Sequence, residues 1–298
     1  MSEYVDKWIN QNLLGELMQG ILNVPQHLLG SHNYEDKQII LSYRPEARQI
    51  IVEDNKGENR NTMEPVNDQG VFSLVVPKGT YKQYRLAVEY HPDDVVVYYD
   101  PYVFETEISE FDSYLLGQGK HYDIYEKLGA HPEVRDGVEG TRFAVWAPNA
   151  RAVSVVGDFN LWDGRVFPMI LLGSSGIFEL FIPGVKAGAM YKYHITCRNG
   201  EVLYKTDPYG NYAEVRPGNA SKVFDINQYK WNDKAFRRKK RSRAKKDSGR
   251  VPMNIYEVHL GSWKKKQDDT EDGFYNYREA AQKLGAYLVE MGYCSEVL

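Results

Sequence analysis

The 298-residue chain is 42% apolar and 26% charged with a formal net charge of −4, an ordinary globular composition for two domains or three small ones. Its two cysteines, Cys197 and Cys294, are too few for a disulfide framework or a zinc site and fit a reduced, cytoplasmic setting. Residues Met1–Asp6 lack a basic region with an apolar stretch behind it, and runs such as Val95–Tyr99 are far too short to span a bilayer, so neither a signal peptide nor a membrane partner is expected.

A helix is predicted to open the chain, with Val5, Trp8, Ile9, Leu13 and Leu17 near one face. Short β-type runs follow at Gln38–Tyr43, Ile50–Glu53, Val71–Val76, Gln83–Tyr90 and Val95–Tyr99. Turn residues such as Asn55-Lys56-Gly57 punctuate them in the rhythm of a β-sandwich. The pattern then recurs. Leu29-Gly30-Ser31-His32 matches Leu128-Gly129-Ala130-His131, and Val71–Pro77 matches Ile177–Pro183. Tyr81–Tyr84 resembles Tyr191–His194, and Asp100-Pro101-Tyr102 matches Asp207-Pro208-Tyr209. Four matches in order, offset by roughly one domain length, imply two related sandwiches in tandem. Within the second, Arg142–Ala147 and Ala152–Gly157 read as strands, and Arg198-Asn199-Gly200-Glu201 as a type I′ hairpin turn.

A basic run follows at Lys234–Lys246, free of acids, while the rest of the chain is strongly negative. Met253–Trp263 reads as a buried strand running into a functional loop, with Ile255, Glu257 and His259 on one side and Tyr256 and Val258 on the other. A closing helix over about Asn276–Met291 carries Tyr277, Ala280, Ala281, Leu284, Leu288 and Met291 on one face, with Gly292 as its stop.

The sharpest local motif is Val155–Gly164, where a strand ends in a Gly-Asp turn and presents Trp162 from a loop. An exposed ring there stacks on the apolar face of a pyranose; a buried one plugs the end of the sandwich. This motif resembles the glycogen-binding sandwich of α-amylase-type enzymes acting on branched glucans. Together with Tyr125–Pro132, Phe143–Pro148, Asp207-Pro208-Tyr209 and Ile255–Trp263, it resembles the bacterial 1,4-α-glucan (glycogen) branching enzymes, over nearly the whole chain to about Tyr293. That resemblance implies a mainly β fold: two tandem immunoglobulin-like β-sandwiches followed by the truncated start of a (β/α)₈ barrel. The expected divisions are an N-terminal sandwich with its leading helix (1–112), a glycogen-binding-type sandwich (113–226), a basic linker (227–252) and a first barrel strand, loop and helix (253–298).

The resemblance further implies cleavage of an α-1,4-linked glucan and transfer to a 6-hydroxyl, by retaining double displacement between two carboxylates. None of the four barrel motifs that would carry those acids occurs here, so no catalytic residue is carried over. After Tyr293 the sequence Cys294–Leu298 departs from the family pattern for a second barrel strand, and a frameshift or truncation near codon 293 is expected. By the same resemblance Trp162, Lys192 and Asn219 fall on sugar-contact positions: a ring, an ammonium donor and an amide able to bridge vicinal hydroxyls. A second stacking aromatic expected just after Asn199-Gly200 is replaced by Val202 and Leu203. Trp263, in the first βα loop, either lines a glucan cleft or packs its own loop.

The expected partner is α-1,4-glucan or glycogen, with no cofactor and no metal. His121 and His131 lack metal-site spacing and read as satisfied polar histidines, and Asp268–Asp272 lacks the glycine of a calcium loop. The basic run has no aromatic interleaving beyond Phe236, which favours a salt-bridged linker over nucleic-acid binding. Two readings remain: the N-terminal portion of a branching enzyme, or a stand-alone glucan-binding module without catalysis. A debranching enzyme shares the binding module, but the tandem sandwiches and Tyr256–Trp263 speak against it.

Overall fold

Where one opening helix is expected, two form. The Asn10 side chain accepts from the backbone N–H of Asn12 (3.0 Å) and Leu13 (3.3 Å), capping a new helix and breaking the first. In the computed structural model, which describes residues 3–92, 94–247, 254–266, 273–293 and 295–297, α1 spans Glu3–Trp8 and α2 spans Gln11–Met18. The chain forms two compact units, Met1–Gln228 and Tyr229–Leu298.

Eight strands follow α2: β1 (Gly30–Tyr34), β2 (Lys37–Tyr43), β3 (Gln49–Asp54), β4 (Arg60–Thr62), β5 (Glu64–Pro65), β6 (Val71–Pro77), β7 (Tyr84–His91) and β8 (Asp94–Tyr99). They form two antiparallel sheets, β1-β2-β6-β5 and β4-β3-β7-β8. Alternation along β2 sends Ile40 into the core between the sheets and Ile39, Leu41 and Tyr43 outward. The outward residues are buried too, because Val5, Ile9 and Leu17 of the helical segment cover that face.

After α3 (Glu110–Gly117) the arrangement repeats with β9 (Gly129–Arg135), β10 (Val138–Trp146), β11 (Ala150–Gly157), β12 (Ile170–Leu171), β13 (Ile177–Pro183), β14 (Met190–Cys197), β15 (Val202–Lys205), β16 (Tyr212–Ala213) and β17 (Ser221–Lys222). One sheet runs β12-β13-β10-β9; the other runs β11-β14-β17-β16, with β15 also on β14. Phe178, Leu180 and Ile182 of β13 fill the core with Phe143, Val155, Tyr191 and Tyr193. On the other face Ile177 meets Ile108 and Phe181 meets Phe104. The fully buried Glu179 between them accepts from the backbone N–H of Glu107 (2.7 Å) and Ile108 (3.0 Å), which fastens the connecting segment to the sheet.

The duplication seen in the sequence is present in the ladders. Gly30 pairs with Leu41 and Leu41 with Ser73; Gly129 pairs with Ala144 and Ala144 with Glu179. Gly30 (φ 90°) and Gly129 (φ 108°) sit in the left-handed region, and an added Cβ would come within 3.0 Å of Tyr102 and Tyr209 respectively, so glycine is required twice at one place. One match is out of register: Tyr84, not Tyr81, occupies the position of Tyr191. Both are fully buried at the start of their strands, and both donate from the hydroxyl to the aspartate sixteen residues on, Asp100 (2.8 Å) and Asp207 (2.6 Å). Aspartate Oδ1 in turn accepts from the N–H of Tyr102 (3.0 Å) or Tyr209 (2.8 Å), making the same latch in each sandwich.

The Asn199-Gly200 turn also differs from expectation. Only Gly200 has positive φ (85°), its N–H bonds to Cys197 O (3.0 Å), and Cys197 N–H bonds to Glu201 O (2.8 Å). That is a type I turn closed by a left-handed glycine rather than a type I′ turn, because the extra residue sets a longer loop.

α3 begins with a capping box. Asp112 Oδ2 accepts from Ser109 N–H (2.9 Å) and Oγ–H (2.6 Å), and Oδ1 takes His121 Nε2 (2.9 Å). Burial pushes the Asp112 carboxyl up, but the bonds from Ser109 and His121 outweigh it and hold it at about 2. A carboxylate depressed below its unfolded value of 3.8 stabilises the fold above that pH, and this contribution is lost as pH falls towards about 2. Wild type and Asp112→Asn are therefore expected to differ most in urea midpoint near neutrality and to converge on acidification below 3.8; parallel curves would refute the assignment.

In the second unit the basic run forms a helix, α4 (Lys234–Asp247), with no Gly or Pro to interrupt it. Residues 234–242 are solvent-exposed, and Arg237 lies 3.9 Å from Asp233. β18 (Ile255–Glu257), α5 (Leu260–Trp263) and α6 (Tyr277–Met291) follow, and β19 (Ser295–Val297) pairs with β18 in parallel, so a short second strand forms despite the departure in sequence there. Asn276 caps α6 and Gly292 (φ 71°) ends it, as its sequence predicts. Among the described residues no helix is long and apolar enough to cross a membrane.

Candidate glucan-contact face

Over its first half, Met190–His194, β14 alternates. Tyr191 and Tyr193 point into the core, which leaves Lys192 and His194 on the outer face of the sheet. Over that face folds the loop leaving β11. Leu161 (φ 54°) and Trp162 (φ 63°) are consecutive left-handed residues, each costing roughly 1–2 kcal/mol for an L side chain, so their surroundings must hold them. Asn160 does part of this: its Oδ1 accepts from Gly157 N–H (2.9 Å), and its Nδ2 donates to the carbonyls of Val155 (3.0 Å) and Asp163 (3.1 Å). Asp163 takes a two-pronged pair from Arg165 (2.9 and 2.7 Å). Burial raises the Asp163 carboxyl, but the Arg165 bonds outweigh it and leave it below the usual range. Gly164 lies against the His194 ring, where a Cβ would come within 2.7 Å, and burial lowers the His194 pKa.

The half-buried Trp162 ring neither plugs the sandwich nor stands free. Its Nε1 donates to Asp158 Oδ1 (3.2 Å), and Asp158 Oδ2 accepts from Met190 N–H (3.4 Å), two residues before Lys192. Lys192 Nζ donates to Oδ1 of the exposed Asn219. Trp162 is thus tied through Asp158 to the β14 backbone two residues before Lys192, and Lys192 is tied to Asn219.

Tyr204 is the residue that sequence reasoning missed. It is 53% exposed, lies opposite His194 in the β14–β15 ladder, and meets that ring edge-on at 5.1 Å. Alternation counted from Val202 would have found it, two residues past the hairpin on the face of Lys192.

Trp263 lies in the second unit. It is on the one-turn helix α5 rather than in an open loop, donates from Nε1 to Tyr256 hydroxyl (3.1 Å), and packs edge-on against Tyr287 at 5.9 Å. His131 Nε2 bonds Leu128 O (2.9 Å) and His121 bonds Asp112. No group of three or more metal-capable side chains gathers among the described residues, and Asp268–Asp272 lies outside them. A cavity of about 580 Å³ opens in the N-terminal sandwich, but its lining (Glu46, Gln49, Asn67, Asp68, Phe72 and Glu89 among it) includes none of the candidate residues.

Residues 127–210 match the family model of carbohydrate-binding module 48 (isoamylase N-terminal domain), a β-sandwich that takes in Trp162, Lys192 and Tyr204 but stops short of Asn219. Residues 10–102 match the N-terminal domain of the alpha-1,4-glucan branching enzyme GlgB. The chain corresponds to the N-terminal portion of the GlgB family. The GlgB of Protochlamydia amoebophila is 39% identical over 97% of this chain and 38% of its own length. That of Rubrobacter xylanophilus is 43% identical over 90% of this chain and 36% of its own length. That of Butyrivibrio fibrisolvens is 54% identical over 62% of this chain and 29% of its own length. The chain therefore spans less than two-fifths of each of these GlgB relatives.

Proposed function

We propose that this GlgB portion holds α-1,4-glucan for a cytoplasmic branching enzyme, with the outer face of the second sandwich as the contact surface. The whole enzyme cleaves an α-1,4-linked glucan and transfers the cut chain to a 6-hydroxyl, by retaining double displacement between two carboxylates. No residue of this chain is assigned to that chemistry. Its part is to bind and orient: Trp162 and Tyr204 as two ring platforms, Lys192 as ammonium donor and Asn219 as the amide reaching vicinal hydroxyls. The observation that supports this best is the tie from the Trp162 indole through Asp158 to the Met190 N–H of β14, the strand that carries Lys192.

The divisions 1–112, 113–226, 227–252 and 253–298 are part of the same proposal, with the last stretch as the first unit of a (β/α)₈ barrel. The parallel pairing of β18 and β19 around α5 and α6 supports it, since a strand–helix–strand crossover is that fold's repeating unit. There Trp263 takes the cleft-lining role.

Glycogen co-sedimentation with the full chain tests the glucan face. Trp162→Ala and Tyr204→Ala are expected to weaken binding by about tenfold or more, as loss of a ring anchor does. Trp146→Ala, at an exposed ring on the other sheet, leaves it unchanged. Trp162→Ala protein that sediments like wild type would remove the ring from the proposal.

A further inference from the structure

The segment leaving the Trp162 loop does not pack within its own sandwich alone. It enters the second sandwich's ladder, with Phe167 O accepting from Val155 N–H (3.2 Å) and Met169 N–H donating to Val153 O (2.8 Å). Over the same few residues it meets the N-terminal sandwich at successive points. Arg165 Nη2 lies 3.6 Å from Glu46. The Arg44 guanidinium sits over the buried Phe167 ring at 5.4 Å. The Tyr102 hydroxyl donates to Pro168 O (2.9 Å), and Leu171 N–H donates to Asn23 O (2.8 Å). Arg44 is itself buried and fixed, donating from Nε to the Tyr98 hydroxyl and from Nη1 to Tyr43 O (2.7 Å).

We propose that the N-terminal sandwich sets the pose of the Trp162 loop, with Arg44 and Tyr102 as its positioning residues; the consequence for sugar rests on the glucan-contact reading above. Two consecutive left-handed residues persist only where their flanks are over-determined. The entry flank is fixed by Asn160 inside the second sandwich. The exit flank, Arg165–Leu171, is held on one side by the β11 ladder and on the other by the N-terminal sandwich, through a chain of packed and hydrogen-bonded contacts of the kind through which a change at one site reaches another. The N-terminal sandwich thereby governs affinity at a face to which it contributes none of the ring, ammonium or amide groups.

The test uses the full chain labelled with 5-fluorotryptophan, the Trp162 fluorine line being identified by its loss in Trp162→Phe. Trp8, its ring tilted against His32 at 4.6 Å in the N-terminal sandwich, and Trp146, bonded to Ser175 O, report that each sandwich is folded. Tyr102→Phe and Arg44→Met are expected to shift or broaden the Trp162 line while those of Trp8 and Trp146 stay. Glycogen affinity falls about fivefold or more, and Arg44→Lys, which keeps the charge over Phe167, falls less. A Trp162 line that stays in place in Tyr102→Phe overturns the proposal. Should Arg44→Met fail to fold, the Trp8 and Trp146 lines show it and Tyr102→Phe decides alone. A moved Trp162 line in protein that never binds glycogen upholds the coupling and defeats the glucan-contact reading instead.

Discussion

Glu179→Ala is expected to lower the unfolding free energy by about 3–5 kcal/mol, the range for breaking a buried ion pair from one side. Glu179 is fully buried on an otherwise apolar strand, which carries a carboxylate only because the segment crossing its outer face offers the N–H groups of Glu107 and Ile108. Arg135 Nη2 adds a third partner at 3.5 Å. Removing the carboxylate strands two backbone donors in a dry site, each at about 1–3 kcal/mol. In the first sandwich the same register position is Ser73, so the loss falls on the second sandwich and its lead-in segment. Glu179→Gln, which keeps one oxygen acceptor, is expected to cost about half as much. Denaturant midpoints on the full chain, with amide exchange at Glu107 and Ile108, check this. An unchanged midpoint with unchanged exchange would show that the segment is held by its apolar contacts alone.

Asp207→Ala is expected to cost a similar amount, again about 3–5 kcal/mol. Its Oδ2 accepts from two fully buried hydroxyls, Tyr191 (2.6 Å) and Tyr193 (3.1 Å), and its Oδ1 from Tyr209 N–H (2.8 Å). Burial displaces the Asp207 carboxyl upward against the pull of those donors. An acid whose folded pKa is raised favours the fold most below its unfolded value of 3.8, and that advantage fades as pH rises through the folded pKa. Asp207→Asn is therefore expected to be more harmful at about pH 4 than at about pH 7. Asp100, displaced the same way by burial, should behave alike in the first sandwich. Denaturation at the two pH values distinguishes this from a plain loss of a hydrogen bond, for which the penalty would not move with pH.

The longer strands β2, β3, β6, β7, β8, β10 and β11 were legible in the sequence because period-two alternation survives wherever one face meets a core, whereas short or edge strands such as β4, β5, β12 and β16 carry too few residues to show it. The ladders extend the expected runs by only a few residues at their ends, as in β2 and β3. Legibility failed where a single polar side chain outvoted the periodic pattern. Asn10 splits one apolar helical face into two helices, and apolar spacing carries no sign of it. The match of Tyr81 to Tyr191 followed letter identity, whereas the structure aligns Tyr84 with Tyr191 through the aspartate each one bonds. At the candidate face, Trp162, Lys192 and Asn219 were visible as residue types, but their linkage through Asp158 was not, because it joins side chain to backbone across strands. Tyr204 is hidden in the sequence because Val202 and Leu203 fill the two positions directly after the turn, and the next outward position that an extended backbone presents comes one residue later.

Both sandwiches have their outer sheet face covered by chain that comes earlier in the sequence: α1 and α2 over β2 and β6, and the Phe104–Ile108 segment over β13. On a ribosome, each cover has therefore already emerged when the sheet beneath it is still being made. The sheet finds its lid waiting and need not expose an apolar flank until some later domain arrives. Moving either cover to the C-terminal side by circular permutation would preserve the contacts and reverse that order, leaving a bare sheet for as long as translation of the remainder takes.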